Sequence, residues 1–527
     1  MAATETDEAR RRVVRSASAI TPLTLLSRLS GYARDKALAH VLGTSARMDA
    51  FLVAFRIPNM LRDIVGEGAM SSAFIPVYAT VSAERSEEEA RAFVGRALGT
   101  FAFLLALLTV VGILASPLLV GLLAPEFGAR PWQYELTVTL NRWIFPYIFL
   151  VSLAALFQAV LNSHHSFAVP AAAPILLNVA MIAATLLLAP RLPEPTYGLA
   201  AGVLAGGFLQ MAVQWPQLSR LRAVGRPALG WRDPAVRSVL VLMTPRLFAY
   251  GINTINLTFA TRFAANLGTA NVSRLYFANR LKELVLGGFA VALATAILPL
   301  LSRQALEEDR AEFKGTLAFA LRLIAFVTVP ATVGLTLLRA PIVRVLFEGG
   351  RYGAQDTEAT AAVLATLCAG LFFFALVRVV VPAFYALRDT RMPVVAAFAD
   401  MAVFLGLCEL WTGRLGLPGI GLASSCAAAV NVAILLGVLR RREGRLQGRA
   451  IAVSVARMLA ASAVMGALVW GADQGIGLAR LALLPAAAAL FAVIAAATAV
   501  YWLAARALGS PEPGELRVLL RGKREGA

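Results

Sequence analysis

The chain has 527 residues, 59% of them hydrophobic and only 15% charged, with a mean hydropathy of +0.71, whereas soluble domains carry about 25% charged residues. The charges are lopsided, 49 Lys and Arg against 31 Asp and Glu, but the apolar bulk excludes intrinsic disorder and argues against a nucleic-acid-binding domain. Three cysteines (Cys368, Cys408 and Cys426) exclude a disulfide scaffold or zinc knuckle, and three histidines leave little for a histidine-based metal site. What survives is an all-α integral membrane protein.

In chain order, residues 1–17 form a basic tail with Arg10, Arg11, Arg12 and Arg15. The apolar stretch behind it is broken by Arg28 and lacks a small-residue cleavage site, so it does not read as a secretory signal. A helix crossing the lipid core needs about 20 mostly apolar residues. Fourteen candidates follow, near 18–40, 48–82, 92–122, 136–162, 169–190, 197–219, 238–265, 272–303, 315–346, 356–386, 393–412, 416–438, 450–473 and 478–505, with a tail over 506–527. The first two are poor by hydropathy: one holds Arg28, Arg34, Asp35 and Lys36, the other Asp49, Arg56, Arg62, Asp63 and Glu67.

Loop charges set the orientation. With the N-terminus inside, cytoplasmic segments hold about 27 Lys and Arg, including Arg220, Arg222, Arg226, Arg232 and Arg237, against about 6 in periplasmic loops. This bias predicts both termini in the cytoplasm and reads the arginine clusters as topology anchors. His164-His165 falls in a cytoplasmic turn and reads as a polar loop rather than a metal site.

Spans 1–6 (18–237) and 7–12 (238–449) look like copies of each other. Gly43-Thr44-Ser45 matches Gly268-Thr269-Ala270, Ala54-Phe55-Arg56-Ile57 matches Ala278-Asn279-Arg280-Leu281, and Phe74-Ile75-Pro76 matches Ile297-Leu298-Pro299, at an offset of 221–225 residues over the whole set of matches. Six spans is an even number, so the two lobes are expected as parallel repeats about an axis along the membrane normal. Spans 13 and 14 (450–505) have no counterpart.

The charges at membrane depth are the functional signal. The first two spans hold Arg28, Arg34, Lys36, Arg56 and Arg62 against Asp35, Asp49, Asp63 and Glu67; their second-lobe equivalents hold Arg246, Arg262, Arg274, Arg280 and Lys282 against Glu283. A charge at the bilayer centre costs at least about 2.5–3.5 kcal/mol, so these cannot face lipid. At about 100° per residue, Asp49, Arg56, Asp63 and Glu67 share one helix face. Such charges are accommodated by a water-filled cavity between the lobes. Arginine binds phosphate oxygens bidentately and stays charged, so the expected cargo is anionic, a phosphate or pyrophosphate. The competing reading of Arg56 and Lys36 is that ion pairs simply pin the helices.

The run Ser27-Arg28-Leu29-Ser30-Gly31-Tyr32-Ala33-Arg34-Asp35, then Asp49-Ala50-Phe51-Leu52-Val53-Ala54-Phe55-Arg56-Ile57-Pro58-Asn59-Met60-Leu61-Arg62, and Gly66-Glu67-Gly68-Ala69 strongly resemble the MurJ (MviN) family. So do Tyr276-Phe277-Ala278-Asn279-Arg280-Leu281 and Ala383-Phe384-Tyr385-Ala386-Leu387-Arg388-Asp389-Thr390. These are lipid II flippases of peptidoglycan synthesis, in the multidrug/oligosaccharidyl-lipid/polysaccharide exporter superfamily. The resemblance implies that Arg28, Arg34, Arg62 and Arg280 bind the diphosphate and head group of lipid II. It leaves Asp35, Asp49, Arg56, Glu67 and Glu283 as structural or gating charges, and makes spans 13–14 a groove for the polyprenyl tail. It also implies the bacterial inner membrane, membrane lipids and the cell-wall synthesis machinery as surroundings, transport rather than catalysis, and no cofactor or metal. Coupling would be to membrane potential or a monovalent cation. The chain departs from the family at Asn279, usually acidic, at Val285 and at Met392-Pro393, and span 7 (238–265) lacks the acid some relatives use for sodium, so a sodium site is not supported. A polysaccharide-unit or drug exporter of the same superfamily is the alternative; a membrane-bound transferase would need a catalytic acid pair that is not evident.

Overall fold

A computed structural model describes the backbone of residues 2–66, 69–307, 309–478 and 480–521, and the side chains among them except at 2–21, 63–66, 69, 245–255 and 518–521. Among the described residues the structure is helical, with no strand beyond an isolated bridge between Gly349 and Tyr352. It divides into two compact units, Met1–Ser273 with Gly349–Tyr352, and Arg274–Glu348 with Gly353–Ala527.

The first unit holds α1 (Ala2–Leu42), α2 (Ala46–Gly66), α3 (Ala69–Glu84), α4 (Glu87–Leu123), α5 (Pro131–Ile144), α6 (Tyr147–Ser163), α7 (Ala168–Ala183), α8 (Pro195–Ala212), α9 (Trp215–Arg220) and α10 (Pro234–Asn266). Its core is aromatic and alanine-rich: Ala50, Phe51, Val53 and Ala54 of α2 are buried, and Phe74 of α3 stacks on Phe93 of α4 at 5.5 Å. On α4 the exposed residues Leu107, Val110, Val111, Leu114, Leu118 and Leu122 recur at helical spacing. An apolar stripe left uncovered along a helix of 37 residues is what a lipid-facing surface requires.

The second unit is built from α11 (Asn271–Gln304, whose first three residues pack with the first unit), α12 (Ala311–Leu337), α13 (Arg339–Phe347), α14 (Ala354–Ala369), α15 (Leu371–Ala386), α16 (Arg391–Leu415), α17 (Leu417–Glu443), α18 (Gly448–Ile476), α19 (Leu483–Ala507) and α20 (Glu512–Arg521). Leu317, Ile324, Leu371, Val379, Phe384 and Leu435 form its core. Asp389, in the turn before α16, accepts from the backbone N–H groups of Arg391 (2.9 Å) and Met392 (3.1 Å) and pairs with Arg442 of α17. Burial alone would raise its pKa; those donors and the guanidinium charge outweigh burial and hold the carboxyl below its ordinary value.

The pair α18–α19 is held at both ends. Arg344 of α13 donates to the carbonyls of Leu478 (3.0 Å) and Leu481 (2.9 Å) between the two helices. At the other end Arg322 of α12 meets Glu512 (3.1 Å) and Glu515 (3.0 Å) of α20, and Ser454 of α18 and Ser510 both donate to Glu512. The stretch expected as a tail over 506–527 thus contains a docked helix.

Among the described residues, ten helical stretches are long and apolar enough to cross a membrane, and α14–α15, bent by 46°, makes an eleventh if taken as one span. These match eleven of the fourteen expected segments. The other three lie on α1, on α2 and α3, and on α10. They are helical, but α1 and α2 are the segments that carry the ionic groups. The glycines that the repeat aligns end α1 and α10 alike, Gly43 at φ +61° and Gly268 at φ +106°, a backbone conformation glycine enters without a Cβ clash.

Candidate functional site

The charges of α1 are anchored in the first unit by a polar network. Arg34 directs Nε (3.1 Å) and Nη2 (2.8 Å) to one oxygen of Asp35, and Nη1 (3.1 Å) to the side-chain oxygen of Asn178 on α7. Asn178 turns its amide to the Ser30 hydroxyl (3.0 Å) and the Ser27 carbonyl (3.2 Å). Asp35 is 1% exposed and Arg34 13%, so this pair is set within the protein, where a carboxylate needs its partners. Arg28, two turns earlier, is exposed. The sequence reading missed Asn178, although one amide in the apolar segment 169–190 was a visible signal.

On α2, Asp49 is fully buried and one of its oxygens accepts from both the backbone N–H and the hydroxyl of Ser273, each at 2.8 Å. Ser273 lies in the first turn of α11, so the carboxylate caps that helix against its positive end. The repeat offset aligns Asp49 with Ser273, and the fold joins them. Arg56 is half-buried and donates to the Thr261 hydroxyl of α10 at 2.9 Å. Arg62 and Lys36 are half-buried. The side chains of Asp63 and Arg246, and all of Glu67, lie outside the described residues.

In the second unit, Arg280 on α11 is exposed. Its neighbour Lys282 sits 4.4 Å over the ring of Phe374, a favourable seat for a cation. Glu283 pairs with Arg378 at 2.8 Å, and Arg274 with Asp356 at 3.2 Å. Phe374 and Arg378 are one turn apart on α15, so that helix presents matched partners to two consecutive residues of α11. Of the expected head-group residues, Arg28, Arg34 and Arg62 belong to the first unit and Arg280 to the second. Among the described residues no three His, Cys, Asp or Glu side chains cluster in a way that would hold a metal ion.

Arginines set into an otherwise apolar helical fold narrow the class, and similarity decides it. The model of the family described as "Lipid II flippase MurJ" matches residues 38–510. The chain belongs to the MurJ lipid II flippase family. A probable lipid II flippase MurJ of Vibrio cholerae is 35% identical over 471 residues, covering 88% of this chain and 90% of that one. The lipid II flippase MurJ of Burkholderia cenocepacia is 36% identical over 427 residues, 80% and 83% of the two chains. A solved MurJ structure in an inward closed conformation superposes with a TM-score of 0.74 at 24% identity, over 92% of this chain and 98% of that one. An inward-facing multidrug transporter of the MATE family reaches a TM-score of 0.64 at 17% identity, over 81% and 95%. At those identities the two structures establish a shared fold.

Proposed function

We propose that this protein is a lipid II flippase, moving the undecaprenyl-diphosphate-linked disaccharide-peptide from the inner to the outer leaflet for peptidoglycan synthesis. The observation that carries the reading is the MurJ family match across 38–510, and the charges retained on α1, α2 and α11 support it. Arg28, Arg34, Arg62 and Arg280 capture the diphosphate and head group in a cationic, water-filled cavity. Guanidinium groups suit this work because they grip phosphate oxygens in pairs and need no proton exchange. Two six-helix repeats exchange access between the leaflets, and α18–α19 carry the polyprenyl tail, completing fourteen spans. Translocation makes and breaks no covalent bond, so no catalytic group or cofactor is called for; the driving force is membrane potential or a monovalent cation. The protein sits in the bacterial inner membrane with both termini in the cytoplasm, alongside the cell-wall synthesis machinery.

The buried Arg34–Asp35–Asn178 network refines this picture. Arg34 arrives at the site already oriented by two partners, and the side chains of Arg28 and Arg280 are exposed. Substituting Arg28, Arg34, Arg62 or Arg280 by Ala should abolish translocation of labelled lipid II in proteoliposomes and complementation of a depletion strain, with the protein still inserted. Full complementation by all four variants would overturn the reading, and absence of lipid II movement under any gradient would favour an exporter of the same superfamily.

A further inference from the structure

The segment that joins α9 to α10 lies as a strap along the first turns of α4. Gly225 donates to the carbonyl of Arg91 (3.0 Å), Ala228 to that of Gly95 (3.3 Å), and Gly230 to the Thr100 hydroxyl (2.8 Å). Arg96 closes the far end on Asp233 at 2.5 Å. A cleft of about 270 Å³ opens where the strap leaves α9, lined by Arg91, Trp215, Leu218, Ser219, Arg222 and Val224. Arg91 engages one donor with Glu87 (3.0 Å). Arg222 stands at φ +47°, a left-handed conformation that a side-chain-bearing residue adopts only when its surroundings impose it. Trp215 is half exposed, its ring against Phe157 at 5.8 Å. Two turns before it, Phe208 and Leu209 of α8 are exposed and apolar.

We propose that this cleft binds the head group of an anionic glycerophospholipid. Two guanidinium groups and the Ser219 hydroxyl suit a phosphodiester. An indole such as that of Trp215 suits the level where a polar head meets the chains, and the exposed Phe208 and Leu209 of α8 suit an acyl chain. Basic pockets at the membrane surface recognise anionic head groups in this way. The site rests on the membrane orientation proposed above only for the leaflet, the cytoplasmic one, and uses none of the residues assigned to lipid II.

The test is native mass spectrometry of delipidated protein titrated with short-chain phosphatidylglycerol, with phosphatidylcholine, and with inorganic phosphate or glycerol 3-phosphate. Phosphatidylglycerol should bind, and R91Q/R222Q should weaken it by about tenfold or more. The charge-matched control R220Q/R232Q, outside the cleft, should leave binding unchanged. Arg222→Gly removes the guanidinium while suiting the left-handed backbone, so it should unfold no earlier than the parent yet bind less lipid. Unchanged binding in R222G and R91Q/R222Q, an equal loss in the control, or equal affinity for phosphatidylcholine would overturn the proposal. Retention of inorganic phosphate as strong as that of the lipid would replace it with a soluble-phosphate site. Binding is read without translocation, so its failure leaves the flippase reading standing, and failure of the Arg28 series leaves this site standing.

Discussion

Asp49 holds both the backbone N–H and the hydroxyl of Ser273 with one oxygen, so its substitutions separate charge from geometry. An asparagine can still accept from both donors, whereas alanine strands a buried helix-end N–H. We expect Asp49→Ala to cost about 1–3 kcal/mol in thermal unfolding, and Asp49→Asn a fraction of that. His164 offers a second handle. It is hydrogen-bonded to Tyr78 at 2.8 Å, and burial, then the neighbouring His165, lowers its pKa. A base held neutral by the fold takes up protons more readily when unfolded, so stability is present at higher pH and lost as pH falls through the ordinary histidine range. Unfolding temperature should therefore drop on acidification, and drop less in His164→Gln; identical pH profiles would refute this. The charges of α1 and α2 were legible in the sequence because ionic groups inside helices are anomalous. Their partners Asn178, Thr261 and Ser273 were not, since ordinary polar residues give no sign of which distant segment they will meet.

At the level of elements, the apolar helices announced themselves by length and composition, which is why eleven expected spans recur as ten apolar helical stretches and a bent pair. Composition was silent on the strap, whose arginines read only as topology anchors. Its seat depends on what α4 lacks: a Cβ at Gly95 would lie 2.4 Å from the carbonyl oxygen of Arg226, and one at Gly99 2.3 Å from that of Ala228. Both obstacles are backbone, so neither can swing aside. Gly95→Ala or Gly99→Ala should lift the strap at a cost of about 1–3 kcal/mol, seen as faster tryptic cleavage around Arg222 and Arg226. Cleavage at the parental rate would mean that the strap does not depend on these glycines. The docked helix α20 was missed for a related reason: a short charged segment resembles a solvated tail until its acids find a buried arginine.

Across the whole molecule, the attachment of α18–α19 is polar at both ends. Glu512 has no exposed surface and Arg322 is 18% exposed, so removing one partner leaves a buried charge uncompensated. Glu512→Ala should lower stability by about 3–5 kcal/mol in thermal unfolding, with Glu512→Gln intermediate because it keeps an acceptor for Arg322 and Ser454. Equal unfolding temperatures for all three proteins would show that α20 is not a clasp. The same pair also imposes an order on biosynthesis. Arg322 precedes Glu512 by 190 residues, so α12 is delivered to the bilayer long before its counter-charge has been translated. Until then its guanidinium lacks the carboxylates that compensate it in the finished fold. Arg322 therefore gains its counter-charge only once α20 has been made, and a chain stalled short of it would carry that arginine without these acids.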